Sequence, residues 1–384
     1  MSDSKQPRGF LSEVRNLGIR DTTDDFVCIV SEQPCVTDGV FTQSTFSGPS
    51  VAISRRHLAD GMASALVTIS KNANVANGQR GEEDAWAIVS AIANELKMPV
   101  DQVLLASTGV IGRPYPMDRI LPKISGIAER LRPADFKAAA RGIMTTDKIV
   151  KIESASIGQA SLLGIAKGVG MIEPNMATLL VYFFTDAHID KVALREAFRP
   201  IMDRTFNSLT IDTDTSTSDT ALLMANGLAG TVDSHTFKEA LLDVATRLVE
   251  GIVKDGEGAT KMIRVRVEKA RHHAEAKQIA KAVANSPLVK TAVHGADPNW
   301  GRIIMAMGKC ENVTFNPDAV TVSIGPLDVY PKGTTERELA ELAAILQRDT
   351  IDIRIALNTG REEALVWGCD LGRGYIDINA SYAT

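Results

Sequence analysis

The stretch that most constrains the fold runs over residues 167–186, KGVGMIEPNMATLLVYFFTD. Glycine and proline favour a turn in its first part, while residues 178–185 are apolar almost without interruption. A strand with that pattern is buried on both faces, so it must lie in a sheet that is covered on each side. The sequence therefore predicts a layered protein in which Thr178 stands at the beginning of a central strand.

The composition is that of an ordinary globular protein, with 45% hydrophobic and 23% charged residues in a chain of 384. A formal net charge of −5 without a long basic run makes nucleic acid a poor partner. The four cysteines lack CxxC or Cys/His spacing, which indicates neither a metal site nor a disulfide framework. The polar N-terminus and the absence of a long apolar run predict a cytoplasmic protein without a membrane span.

Strand-like and helix-like segments alternate along the chain, and no linker rich in proline, serine or charge separates them. This order predicts an α/β or α+β fold, a sandwich of sheets flanked by helices. The predicted strands are residues 25–31, 65–70, 103–106, 262–267, 319–324, 350–357 and 362–368, with a hairpin in 148–166 around Gly158. The predicted helices are residues 82–97, 116–130, 133–144, 190–204, 237–254, 274–284 and 336–346.

Two polar turns are candidate ligand sites. The strand at 103–106 runs into Ser107, Thr108 and Gly109, which would place a hydroxyl and a backbone N–H side by side, as an oxyanion pocket requires. Many ordinary turns contain the same residue types. Residues 144–147, MTTD, end a predicted helix and are either a helix exit or a ligand loop.

Acidic residues and one histidine raise further possibilities. Glu257 stands between two glycines, where a carboxylate usually faces solvent but can also face an amine. His294 lies in the turn-rich residues 285–301, and a histidine without a placed carboxylate partner is more often structural than catalytic. The run at 211–220, IDTDTSTSDT, lacks the glycine and glutamate of a calcium loop, so a hydrogen-bonded loop is expected there.

Thr178 itself has two interpretations. It is either a strand residue with good β propensity, or an N-terminal nucleophile exposed by cleavage of the preceding bond. In the second case the Thr178 hydroxyl attacks the Ala177 carbonyl in a turn that Gly168, Gly170 and Pro174 make plausible. The freed α-amine, with a pKa of about 8, then serves as the base for its own hydroxyl.

The motif KGVGMIEPNMATLL resembles the self-processing segment of the ornithine acetyltransferase family, also called glutamate N-acetyltransferases. Other blocks similar to those of the family follow in the family's order, so the resemblance covers about residues 8–384. They are STGVIG, MTTD, IDTDTSTSDTALLMANG, DGEGATK, NSPLVKTAVHGADPNWGR and INASYAT. In Val169, Glu173, KNANVANG, GVIGRPYP and HGADPNWGR the chain is similar to variant members found beside secondary-metabolite pathways.

The resemblance implies self-cleavage between Ala177 and Thr178. Residues 1–177 would form an α chain and residues 178–384 a β chain of one intertwined core. That core would be similar to the N-terminal-nucleophile hydrolases, with a smaller C-terminal α/β lobe and an α2β2 assembly. No cofactor and no metal are implied.

The resemblance also implies an activity and its residues. Acetyl would pass from N-acetylornithine to Thr178 and then to glutamate in a ping-pong cycle, with Thr108 and Gly109 as the oxyanion hole. Lys167 suits the α-carboxylate of both substrates and Glu257 suits the ornithine side-chain amine. The implied substrate contacts are Thr145, Thr146 (favoured over Thr145), Lys167, Thr178, Glu257, Asn379 and Thr384.

Several alternatives stay open at this stage. Acetyl-CoA is a possible further acetyl donor, which would make the enzyme bifunctional. A self-processing amidase or aminopeptidase would pass the acyl group to water, and a variant acyltransferase would use another donor or acceptor. An uncleaved binding or scaffold protein, with Thr178 as an ordinary strand residue, belongs to a different functional class.

Overall fold

The structure is a computed structural model that describes residues 6–173 and 179–380. The chain divides into two compact units. The first is built from residues 1–168, 174–206 and 215–248, and the second from residues 169–173, 207–214 and 249–384. The chain therefore enters the second unit three times, twice with short segments.

The described part of the first unit contains nine strands of one sheet. The strands are β1 (Phe10–Arg15), β2 (Phe26–Phe41), β3 (Met62–Ile69), β4 (Val103–Ser107), β5 (Arg132–Pro133), β6 (Lys151–Ile157), β7 (Ala160–Lys167), β8 (Leu180–Thr185) and β9 (Thr220–Ala225). Their order is β4-β3-β2-β9-β8-β7-β6, with β1 pairing to β2 and β5. The helices are α1 (Pro49–His57), α2 (Gly78–Leu96), α3 (Met117–Ile124), α4 (Ile127–Arg130), α5 (Phe136–Gly142), α6 (Lys191–Arg204) and α7 (Ser234–Lys254), of which the last ends in the second unit.

Strand β2 is bent, so that the sheet forms two layers that pack against each other. Its first half pairs with β3 and its second half with β9, and the register to β3 shifts between Val30 and Cys35. Such an irregularity bends a strand. The Thr68 hydroxyl of β3 and the Tyr182 hydroxyl of β8 lie 2.9 Å apart within the core between the layers. That core combines side chains from β3 and β4 with side chains from β7, β8 and β9, including Leu66, Leu104, Ile165, Leu180 and Leu222.

Helices cover the outer faces of both layers. On one side α2 buries an apolar stripe that includes Ile88 and Ile92 against β3 and β4, as its helical periodicity predicted. On the other side Phe198 of α6 packs edge-on to Phe183 of β8, with ring centroids 6.1 Å apart. The prediction of an α/β sandwich of sheets flanked by helices is confirmed.

Strand β8 is buried at all six positions, which confirms the prediction from its apolar sequence. It pairs antiparallel with β7 and parallel with β9. Ala177 and Thr178, on which the predicted cleavage falls, lie outside the described residues. The predicted hairpin is also present, since β6 and β7 are joined at Gly158, where φ is +60°.

The second unit contains a five-stranded mixed sheet of order β12-β11-β13-β10-β14. The strands are β10 (Met262–Ala270), β11 (Thr321–Ile324), β12 (Leu327–Tyr330), β13 (Thr350–Ala356) and β14 (Glu362–Cys369). The helices are α8 (His273–Ala284), α9 (Pro287–Gly295), α10 (Gly301–Gly308), α11 (Glu336–Ile345) and α12 (Arg373–Asn379). Most of these elements were predicted, which agrees with a C-terminal α/β lobe.

Three local predictions of secondary structure were wrong. Residues 116–130 form two helices instead of one, because Gly126 adopts a left-handed φ of +72° between α3 and α4. In the predicted helix 133–144, Pro133 belongs to β5 and pairs with Leu11, so α5 begins only at Phe136. Residues 285–301 are more helical than expected, since α9 begins with Pro287 after the capping residue Ser286.

Within residues 6–173 and 179–380, none of the helices combines the length and the apolar character that a membrane crossing requires.

Candidate active site

The turn after β4 has a shape that requires glycine. Gly109 has φ +129°, and a Cβ atom there would lie 2.2 Å from the carbonyl carbon of Lys71. The Thr108 N–H donates to the Ile69 carbonyl at 3.0 Å, so Thr108 can offer an oxyanion only its hydroxyl group. The predicted oxyanion pair would therefore combine the Thr108 hydroxyl with the Gly109 N–H.

Lys167 ends β7 and lies opposite Leu180, the first residue of β8. Its Nζ donates a hydrogen bond of 3.1 Å to Thr108 Oγ1. In the chain, β8 begins two residues after Thr178. The first unit thus brings one predicted oxyanion donor together with the predicted carboxylate-binding cation, at the end of the sheet where β8 starts.

Asp147 organises this cluster, although only the threonines of its MTTD block were predicted to contact a ligand. Its Oδ1 accepts from Lys151 Nζ at 2.7 Å and from the Gly168 N–H at 2.8 Å. The carboxylate is fully buried and the Lys151 side chain is 2% exposed. Asp147 therefore fixes the residue that directly follows Lys167. No regular spacing relates a loop carboxylate to a strand end, so only the folded chain reveals this contact.

Neighbouring groups stabilise the negative charge of Asp147. Burial opposes the carboxylate, but the Lys167 and Lys151 ammonium groups and the Gly168 N–H outweigh it and keep the pKa of Asp147 below its usual range. Asp147 is consequently ionised at neutral pH. An ionised Asp147 can hold both lysines in place for an anionic ligand.

The two threonines of the MTTD block are both half-buried. The Thr145 N–H donates to Asp147 Oδ2 at 3.2 Å, so Asp147 also shapes this loop. The loop is therefore part of the same cluster as Lys151 and Lys167. A substrate contact through Thr145 or Thr146, and the preference for Thr146, stay predictions.

In the second unit, Glu257 is buried, at 8% exposure, so of the two possibilities that the sequence left open the solvent-facing carboxylate is excluded. Its N–H donates to the Val169 carbonyl at 2.8 Å, and its Oε2 accepts from Asn379 Nδ2 at 2.9 Å. A Cβ atom on Gly170 would come within 2.4 Å of Oε2, so a larger residue there would require this carboxylate to move. The fold brings together Glu257 and Asn379, two of the predicted substrate contacts.

His294 has a carboxylate partner that the sequence did not reveal. Its Nδ1 lies 2.7 Å from Oδ2 of Asp370, whose carboxylate also accepts from Thr260 Oγ1 at 2.6 Å and from the Lys261 N–H at 2.9 Å. Burial disfavours the charge of Asp370, but these donors outweigh it and lower the pKa of the carboxyl. The pair holds the end of the loop that carries Glu257, which fits a structural role for His294.

The remaining predicted positions have mixed outcomes. Residues 211–220 include the expected hydrogen-bonded loop, in which Asp212 accepts from the Ile172 N–H at 2.7 Å. Ala177, Thr178 and Thr384 lie outside the described residues. Among the residues that the structure describes, no group of three or more His, Cys, Asp or Glu side chains could hold a metal ion.

Comparisons with known proteins cover the whole chain. The sequence model of the ArgJ family matches residues 12–384. The chain is 54% identical over 385 residues to the arginine biosynthesis bifunctional protein ArgJ 2 of Nostoc sp., with 100% of both chains covered. It is 49% identical over 393 residues to glutamate N-acetyltransferase Oat2 of Streptomyces clavuligerus, again with 100% of both covered.

A solved structure is similar to part of the chain. The crystal structure of the arginine biosynthesis bifunctional protein argJ of Bacillus halodurans is 40% identical to it, with a TM-score of 0.49. The match covers 51% of this chain and 96% of that one.

Proposed function

Since this chain belongs to the ArgJ family, we propose that it is an acetyltransferase which moves the acetyl group of N-acetylornithine to glutamate. The names of relatives at 49–54% identity over the full length support this reaction. The observation that carries the proposal is the contact between Lys167 Nζ and Thr108 Oγ1 at the start of β8. It brings a carboxylate-binding cation beside an oxyanion donor, as acetyl transfer between amino acids requires.

The active form arises by self-cleavage between Ala177 and Thr178. The Thr178 hydroxyl attacks the Ala177 carbonyl carbon, the C–N bond breaks, and the departing amine takes up the hydroxyl proton. Water then hydrolyses the ester, which leaves the Ala177 carboxylate on residues 1–177 and a free hydroxyl on residues 178–384. Thr108 and Gly109 stabilise the oxyanion in this step.

In acetyl transfer, the α-amine of Thr178 removes the proton of its own hydroxyl, which attacks the acetyl carbonyl of N-acetylornithine. The tetrahedral oxyanion lies against Thr108 Oγ1 and the Gly109 N–H, and ornithine leaves with a proton on its α-amine. The glutamate amine then attacks acetyl-Thr178 and regenerates the hydroxyl. Donor and acceptor occupy the site in turn, so the kinetics are ping-pong.

The substrate contacts follow from charge. Lys167 binds the α-carboxylate that both substrates share, and Glu257, held by Asn379, binds the side-chain ammonium of ornithine. Thr145 or Thr146 and the terminal Thr384 complete the contacts. Acetyl-CoA is a second acetyl donor, and two α and two β chains form the assembly in the cytoplasm.

A labelled substrate tests the reaction. Purified protein is incubated with glutamate and N-acetylornithine that carries a 13C-acetyl group, and the products are separated. We expect the label in N-acetylglutamate; label found only in free acetate would instead identify a hydrolase. Parallel reactions with labelled acetyl-CoA decide whether that donor is used.

Intact mass spectrometry of the same samples tests the processing. We expect two chains, residues 1–177 and 178–384, from the wild-type protein and one inactive chain from Thr178→Ala. A wild-type protein that transfers acetyl as a single chain would show that the proposed cleavage is wrong.

A further inference from the structure

The segment 169–173, which precedes the proposed cleavage site in sequence, is held by one carboxylate of the second unit. Asp212 Oδ2 accepts from the Met171 N–H at 2.7 Å, and Oδ1 accepts from the Ile172 N–H at 2.7 Å. The Tyr375 hydroxyl also donates to Oδ2 at 3.2 Å. Ile172 is fully buried, and its carbonyl accepts from the Ile211 N–H at 2.7 Å. Asp212 thus fixes two consecutive peptide groups.

The backbone on both sides of these hydrogen bonds has an unusual conformation. Met171 has φ +55° and Thr213 has φ +70°, in the left-handed region that favours glycine and is disfavoured for a β-branched residue such as threonine. Such conformations persist where the surrounding contacts impose them. The hydrogen bonds from the Met171 and Ile172 N–H groups to Asp212 impose the left-handed conformation of Met171.

Glu173 forms a second attachment, one residue further along the segment. Its N–H donates to the Asp214 carbonyl at 2.8 Å. Its carboxylate accepts from Thr210 Oγ1 at 3.1 Å and from the Asn285 side-chain amide, and it lies 3.5 Å from Lys281 Nζ. Glu173 therefore has a polar environment built around it.

We propose that Asp212 is a positioning residue for self-cleavage, with Glu173 as its second attachment. This inference rests on the proposed function, because it concerns the same cleavage. An acyl shift requires the hydroxyl and the carbonyl in a fixed mutual geometry, and each freely rotating residue next to the bond lowers the fraction of chains in that geometry. Asp212, together with Glu173, fixes residues 171–173, which end four positions before Ala177 in the sequence.

The main test compares processing rates at equal stability. Asp212→Asn preserves the shape but replaces one acceptor oxygen with an NH2 donor, so one of the two N–H groups loses its partner. We expect the conversion of the full chain into two chains, followed by intact mass after synthesis, to slow roughly tenfold or more. Asp352→Asn, an exposed aspartate of the same unit that pairs with Arg264, is the matched control and should process at the wild-type rate.

Two further variants keep the test informative if Asp212→Asn folds poorly. In Met171→Gly the left-handed conformation is no longer strained, but the residue gains freedom to leave it, so the thermal midpoint should stay near the wild-type value while processing slows. A merely structural role would not separate these two readouts. Glu173→Gln removes the charge that faces Lys281 and should slow processing to a smaller extent.

The possible outcomes are distinct. A wild-type chain that stays whole contradicts the proposed cleavage itself. A wild-type chain that processes, together with all three variants at its rate, overturns the role of Asp212 and leaves the proposed function intact. Slow processing of Met171→Gly at an unchanged thermal midpoint supports the inference, even where Asp212→Asn is too unstable to compare.

Discussion

Lys167 Nζ donates a 3.1 Å hydrogen bond to Thr108 Oγ1 across 59 residues of sequence. Thr108 follows β4 in one sheet layer, and Lys167 ends β7 in the other. The contact fixes where an oxyanion and a carboxylate would be bound relative to each other. Each partner can be removed without the other, which makes their proposed roles separable.

Removal of the Thr108 hydroxyl should impair both chemical steps. Thr108→Val keeps the shape of the side chain, so we expect the processing rate and kcat to fall by about 10²–10³-fold, as for other oxyanion donors. Thr108→Ser, which retains the hydroxyl, should restore most of both rates. Wild-type processing and kcat in the valine variant would exclude the hydroxyl from the oxyanion hole.

Removal of the Lys167 charge should act mainly on binding. A hydrogen bond to a charged group contributes about 1.5–3 kcal/mol, so Lys167→Gln should raise KM for both substrates about 10–100-fold. Both are affected because both carry an α-carboxylate. Steady-state kinetics with each substrate varied in turn measures the effect, and an unchanged KM for either substrate would contradict the assignment.

Glu257 should discriminate between the two substrates. Glu257→Gln keeps an acceptor but loses the charge that pairs with the ornithine ammonium, so KM should rise for N-acetylornithine and stay near the wild-type value for glutamate. Asn379→Ala frees the carboxylate from its 2.9 Å hydrogen bond and should cause a smaller change of the same kind. Equal increases for both substrates would indicate a general loss of structure.

The free energy of unfolding should depend on pH through Asp147. The pKa of Asp147 is lower in the folded chain than its ordinary value of about 4, so its contribution to stability is complete above that pH and is lost as pH falls through the folded pKa. Asp147→Asn leaves the buried Lys151 ammonium without this partner and should lower the free energy of unfolding at pH 7 by about 3–5 kcal/mol.

The difference between wild type and Asp147→Asn should shrink as the pH is lowered below about 4 in urea unfolding experiments. Asp318→Asn, at an exposed position, should change stability by no more than about 0.5 kcal/mol at any pH. A difference that is independent of pH would mean that the Asp147 carboxylate does not contribute through its charge.

Thiol reagents should leave the activity intact. Burial raises the pKa of Cys35 to about 12 and also raises the pKa values of Cys28 and Cys369, so these thiols stay protonated and unreactive. The structure describes all four cysteines, and of these Cys310 alone is partly exposed, so it should react first with iodoacetamide. Peptide mapping of partly labelled protein gives the order, and loss of activity in step with Cys310 labelling would point to a role for that residue.

The sequence predicted local structure well where a single segment carries the signal. The apolar run of β8, the amphipathic stripe of α2 and the glycine at the β6–β7 turn each depend on neighbours within a few residues. Predictions failed where a distant partner decides the outcome. Pro133 is extended because it pairs with Leu11. The sequence also left the exposure of Glu257 open, because its carboxylate lies against a distant glycine, Gly170.

By itself, the sequence determined the family, the α/β class and the identities of the candidate residues. Contiguous motifs carry that information, and the family predicted from them is confirmed. Only the tertiary structure decided which candidates meet: Thr108 with Lys167, Glu257 with Asn379, and His294 with Asp370, at separations of 59, 122 and 76 residues. These contacts form because β2 bends and because loops that are distant in sequence converge. Hydrophobic periodicity within one segment predicts neither the bend nor the convergence.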